Sequence, residues 1–123
     1  MKLEIYRLDY KNPTLNGRAF PCLPNVDTLE GIDENEIRSM TLIFDTLEQA
    51  QAFSTQFPKY CKASAYMQQV GGYNPDTQRH YNYERPVIYF SFNTVWLNET
   101  TGDKNETALK RKNKVLSILR QQA

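Results

Sequence analysis

Between Pro86 and Asn93 the chain sets Val87, Ile88, Tyr89, Phe90 and Phe92 in near-continuous succession. A run so rich in β-branched and aromatic residues predicts a strand buried on both faces, or one carrying aromatic cross-strand pairs. The rest of the chain must supply a sheet around it. A second strand is predicted over Glu36 to Phe44, where Met40, Leu42 and Phe44 alternate with Ser39, Thr41 and Ile43. Another is predicted over Leu3 to Tyr10, followed by the turn formers Asn12-Pro13 and Asn16-Gly17. Between them, Pro21 and Pro24 predict an irregular connection from Gly17 to Gly31 that holds a bulge or a short edge strand.

Helical spacing follows. Leu47, Ala50, Phe53 and Phe57 form one apolar stripe that Pro58 ends, with Asp45 expected as N-cap and Glu48 as its capping-box partner. Cys61, Ala63, Ala65 and Met67 then alternate as in a strand, while Ala63, Tyr66, Met67 and Val70 also fit a helix. The strand is preferred, because Gly71-Gly72 can open a hairpin into the next β-rich run. A last helix is predicted from about Asn105, with Ala108, Leu109, Val115, Leu116 and Leu119 on one side and Thr101 or Asp103 as its cap.

The predicted order is strand, irregular link, strand, helix, strand, strand, helix. It implies a single α+β domain over residues 1–123, with a mostly antiparallel sheet of about four strands and two helices packed on one face. The last five elements resemble the split βαβ order of ferredoxin-like domains, with the N-terminal strand free to take the place of the missing closing strand. That resemblance concerns element order alone and implies no function.

Composition narrows the function classes. Fifteen Lys plus Arg against fourteen Asp plus Glu give a net charge of +1, so no global excess of positive charge gathers DNA or acidic lipid. No segment approaches the ~20 consecutive apolar residues of a membrane span. Charges punctuate Met1 to Asp9, which argues against a secretory signal and for a cytoplasmic chain. Cys22 and Cys61 lie far apart without zinc-site spacing, so both are expected to be free and buried, and no metal or cofactor is expected. Asn98-Glu99-Thr100 and Asn105-Glu106-Thr107 match a glycosylation acceptor pattern, but in a cytoplasmic chain they are better taken as helix-entry chemistry.

Three stretches are candidates for function. The connection from Gly71 to Arg85 is long for a hairpin loop, and Tyr73, Tyr81 and Tyr83 with Arg79, His80 and Arg85 give it the rigid aromatic and adaptable polar make-up of a protein-binding surface. The same groups can stack single-stranded bases. In the alternative, the strands simply extend, Tyr81 and Tyr83 lie on one sheet face, and only Asn74-Pro75-Asp76 turns. The second stretch is the acidic run Asp27, Glu30, Asp33, Glu34 and Glu36, which suits either a basic partner or a solvated turn capped by Asp33. The third is the basic face Lys110, Arg111, Lys112 and Lys114 of the last helix, which can contact phosphates. It can also meet the acidic run across a homodimer.

Catalytic signals are weak. His80 is the only histidine, and no local signature joins it to Cys22, Cys61, Ser64 or Ser91. The expectation is a non-catalytic protein that binds a protein partner through the Tyr-rich loop (Tyr73, Arg79, His80, Tyr81, Tyr83, Arg85) and an acidic rim (Asp33, Glu34, Glu36). The alternative is a single-stranded nucleic-acid module using Lys110, Arg111, Lys112 and Lys114.

Overall fold

A computed structural model describes residues 1–7, 22–92, 95–98 and 103–122. The predicted central strand is real and longer than its apolar run: β5 spans Arg79–Ser91. It is flanked by β3 (Ile37–Ile43) and β4 (Ala65–Asn74) in an antiparallel sheet of order β2-β1-β3-β5-β4, where β1 is Lys2–Arg7 and β2 is Cys22–Val26. The sheet has five strands rather than about four, because the irregular connection contributes β2 as an edge strand. The predicted turns at Asn12-Pro13 and Asn16-Gly17 lie outside the described residues. A small second pair joins β6 (Trp96–Asn98) to β7 (Asp103–Lys104).

Alternation fixes which face is covered. Leu3 pairs with Leu42 and Leu42 with Ile88, while Ile5 pairs with Met40 and Met40 with Phe90, so these six side chains share one face. All six are buried in one core with Ala50, Phe57, Val115, Leu116 and Leu119, which come from the two helices and the turn after the first. The α+β class follows from this layering of helices on an antiparallel sheet. Cys61 belongs to the same core as a free thiol, and its burial raises the thiol's pKa.

The first helix, α1 (Leu47–Ser54), is capped one residue later than predicted, by Thr46 in place of Asp45. Thr46 is extended at φ −133° and ψ 155°, its hydroxyl accepts from the Gln49 N–H, and the Gln49 side chain closes the capping box. The second, α2 (Glu106–Arg120), is capped by Asn105, whose side-chain oxygen accepts from the N–H groups of Thr107 and Ala108. Of the two predicted caps, Asp103 belongs to β7 and Thr101 lies outside the described residues. Asn105 is thus helix-entry chemistry, as its sequence context predicted.

The stretch from Gly71 to Arg85 is not a loop. Gly71-Gly72 lie inside β4, which pairs with β5 without a break from Ala65–Ile88 to Asn74–Arg79. The chain turns only at residues 75–78, where Asn74 Oδ1 accepts from the Asp76 N–H and Gln78 takes a left-handed φ of 55°. Beyond Pro86 this hairpin leaves β3 behind. The Phe44 N–H donates to the Pro86 carbonyl, and proline has no N–H to return, so the β3 ladder ends there. Residues 68–74 and 79–85 therefore form a two-stranded arm that continues the sheet.

Candidate functional site: a tyrosine face on the open side of the sheet

The face opposite the core gathers tyrosines that lie far apart in sequence. By register, Tyr6, Tyr66, Tyr81, Tyr83 and Tyr89 all point to this side, around the buried Thr41 and Val87. Their exposures run from 38% to 50%, high for side chains of this size in a sheet. Tyr81 and Tyr83 stack with ring centroids 6.3 Å apart and planes 25° from parallel. Gly72 sits directly across from Tyr81, and a Cβ there would fall 2.5 Å from the Tyr81 hydroxyl oxygen. Glycine at 72 is what lets the ring lie across β4.

A polar bridge crosses the same face. Arg85 Nη1 and Nη2 donate to Glu4 Oε2 and Oε1, each at 3.1 Å, and Arg85 Nε donates to Gln68 Oε1 at 2.7 Å. Both charged side chains are more than four-fifths covered, and the bonding to Glu4 raises the Arg85 pKa against the opposing effect of burial. The bridge ties β1 to the root of the arm. Around it lies a shallow cavity of about 390 Å³, lined by Glu4, Tyr6, Gln68, Tyr83, Arg85 and Tyr89 among others. Aromatic walls over a fixed ion pair can receive apolar or aromatic side chains, with amides and hydroxyls to orient them.

The predicted site residues are not all brought together. Tyr81, Tyr83, Arg79 and Arg85 share the tyrosine face, whereas Tyr73 and His80 lie on the other side of the arm, their rings 5.1 Å apart. The acidic residues are elsewhere. Asp33 caps a short turn at Glu34–Glu36 by accepting from the Asn35 N–H, and Glu34 is ion-paired with Arg120 at the end of α2. That turn enters β3 beside the Ser91 end of β5, roughly 25 Å along the strand from Tyr83 at about 3.3 Å per residue. Tyr81 and Tyr83 with Asp33, Glu34 and Glu36 therefore do not make one surface, and the acidic run meets the basic helix within one chain at Glu34–Arg120.

The basic helix is also largely occupied. Lys112 is buried with its Nζ 5.7 Å above the Phe92 ring, Lys110 Nζ lies 5.7 Å over Tyr60, and Arg111 Nε donates to the Cys61 carbonyl at 3.2 Å. Lys114 is exposed. Because α2 packs on the core side, Lys110, Arg111, Lys112 and Lys114 lie across the sheet from the tyrosines. His80, near the arm's tip, is brought to none of Cys61, Ser64 or Ser91, and among the described residues no three His, Cys, Asp or Glu groups cluster as metal ligands. A larger cavity of about 630 Å³ opens near Leu29, Phe53 and Leu119, with Asp27 and Glu30 at its rim; it shares only the β1 strand with the tyrosine face.

Tyr6, Tyr66, Tyr89 and Glu4 are site residues that the sequence pattern did not single out. The available signal was parity: Tyr81, Tyr83 and Tyr89 are odd-numbered positions of one strand and must share a face once β5 is continuous. None of the described helices is long and apolar enough to cross a membrane. Comparison with known proteins gives no match: no family model fits the chain, and no curated protein or solved structure matches it.

Proposed function

We propose that this is a non-catalytic binding protein whose tyrosine face captures another protein. One observation carries the reading: five exposed tyrosines from three strands lie on a single sheet face, around a nearly buried arginine–glutamate pair. Tyrosine gives large contact area for little lost rotamer freedom, and such residues serve as anchors at protein interfaces. The acidic rim drops out of this reading, since Asp33 caps the turn that holds Glu34 and Glu36 and Glu34 pairs with Arg120, at the far end of the sheet.

A single-stranded nucleic acid is the second reading, and the Tyr81–Tyr83 stack favours it as a platform for bases. Phosphates near that stack would find Arg79, but Arg85 is already paired with Glu4, and the α2 cations lie across the sheet. That charge distribution favours a protein. The order β3-α1-β4 with β5 between β3 and β4, and β1 beside β3, supports a ferredoxin-like split βαβ reading in which β1 takes the closing strand's place. The reading keeps the chain in the cytoplasm, where the Cys61 thiol stays reduced.

Immobilised protein should retain a specific partner from nuclease-treated extract of its native host. The variant Tyr81→Ala/Tyr83→Ala should lose it while keeping its circular dichroism spectrum. Capture unchanged by the double substitution overturns the proposal, and capture abolished by nuclease moves it to nucleic acid.

A further inference from the structure

The two edges of the sheet differ in how they are protected. β2 is five residues long and contains Pro24, a left-handed Asn25 at φ 56° and a shift of register against β1. Those are the devices that stop an edge from pairing with another chain. β4 has none of them. Its ten residues, AYMQQVGGYN, include no charge and no proline, and its pairing with β5 runs without a bulge.

Register gives the direction of every polar group on that edge. The Pro86 carbonyl faces β3, so the N–H and C=O of Val87 face β4, as do those of its partner Tyr66 on the facing strand. Those of Ala65, Met67, Gln69, Gly71 and Tyr73 therefore point away from the sheet, and no described strand meets them.

We propose that β4 pairs antiparallel with β4 of a second copy of this chain, about a two-fold axis through Gln69, joining two sheets into one continuous sheet. In this register all the outward groups are matched: Gln69 faces the partner's Gln69, Met67 faces the partner's Gly71, and Ala65 faces the partner's Tyr73. On the other face Gln68 meets the partner's Val70, and Tyr66 meets the partner's Gly72. Each large side chain is set against a small one, Met67 and Tyr73 against glycine and alanine, Tyr66 against glycine. The strand is thus complementary to itself in size as well as in hydrogen bonding, which is what an isologous contact requires. Because Tyr81 already lies over Gly72, the Tyr66 ring would also carry the row of tyrosines across the seam. This contact is independent of the tyrosine-face proposal.

Light scattering after size exclusion should give twice the 14.4 kDa chain mass at tens of micromolar. Gln69→Pro removes an outward N–H and no backbone bond to β5, at the cost of the exposed side-chain bond from Gln69 Nε2 to Glu84, so it should return the mass to that of one chain with the circular dichroism spectrum retained. Gln69→Cys places two thiols across the axis at a Cα separation of about 5.5 Å, within disulfide range, and should give a covalent dimer under mild oxidation that the unsubstituted chain does not form. A single-chain mass for the unsubstituted protein overturns the proposal. So does a dimer that survives in folded Gln69→Pro, or a Gln69→Cys chain that does not crosslink; should Gln69→Pro unfold, the crosslink decides. Tyr81→Ala/Tyr83→Ala should leave the mass doubled, which separates this contact from partner capture.

Discussion

Glu4 and Arg85 stand 81 positions apart and form a nearly buried ion pair across the open face, with side chains 18% and 16% exposed. A pair so placed is costly to break from one side, because the surviving charge keeps its desolvation penalty and loses its compensation. Glu4→Gln leaves Arg85 with Gln68 and a neutral amide, and should lower the unfolding free energy by about 2 kcal/mol, read from urea denaturation. The Lys2–Asp27 pair serves as the contrast. Its side chains are more than half exposed, Lys2 lowers the Asp27 pKa chiefly through a hydrogen bond, and Lys2→Met should leave the urea midpoint where it was. Equal effects of the two substitutions would mean that the bridge is not the hinge pin of the arm. Replacing both partners by apolar residues, Glu4→Leu with Arg85→Met, should recover much of what Glu4→Gln loses.

At the scale of elements, the β4–β5 hairpin is two structures in one. Residues 87–91 of β5 pair with β3, and Val87 and Ile88 with β4 as well, whereas residues 79–85 pair with β4 alone, and an isolated two-stranded ribbon is marginal in water. Amides of Tyr81 and Tyr83 should therefore exchange with solvent at least ~10-fold faster than those of Ile88 and Phe90, and equal protection would show that something covers the arm. The arm also shows why sequence reasoning stopped where it did. Strands β3 and the second half of β5 were legible because one or both faces are buried and leave an apolar pattern. The arm is exposed on both faces, so Gln68, Gln69, His80, Asn82 and Glu84 carry no such period, and Gly71-Gly72 imitate a turn although Tyr81 fills the space above Gly72. The α1 cap moved by one residue for a related reason: Asp45–Glu48 and Thr46–Gln49 both satisfy the capping spacing, and only the extended backbone at Thr46 separates them. Nothing local couples Glu4 to Arg85.

For the whole molecule, what matters electrostatically is where charge has been consumed. The net charge is +1, and many of the cations are held in place: Lys2 by Asp27, Arg85 by Glu4, Arg120 by Glu34, Arg111 by a carbonyl, Lys110 and Lys112 over aromatic rings. Little of the long-range field that draws a polyanion is left on the open face, where Arg79 is the unpaired cation nearest the Tyr81–Tyr83 stack among the described residues. Affinity there must come from burying tyrosine and from short-range hydrogen bonds, both of which are weakly screened. A protein that binds nucleic acid through 6–10 phosphates loses roughly 10³–10⁵ in affinity between 50 and 200 mM salt. Capture by the tyrosine face should change by less than about tenfold over that range, measured by titration of the purified partner. A steep salt dependence would place the binding energy on charges, and would shift attention from the tyrosines to α2, where Lys114 is exposed on the helix that also carries Lys110 and Arg111.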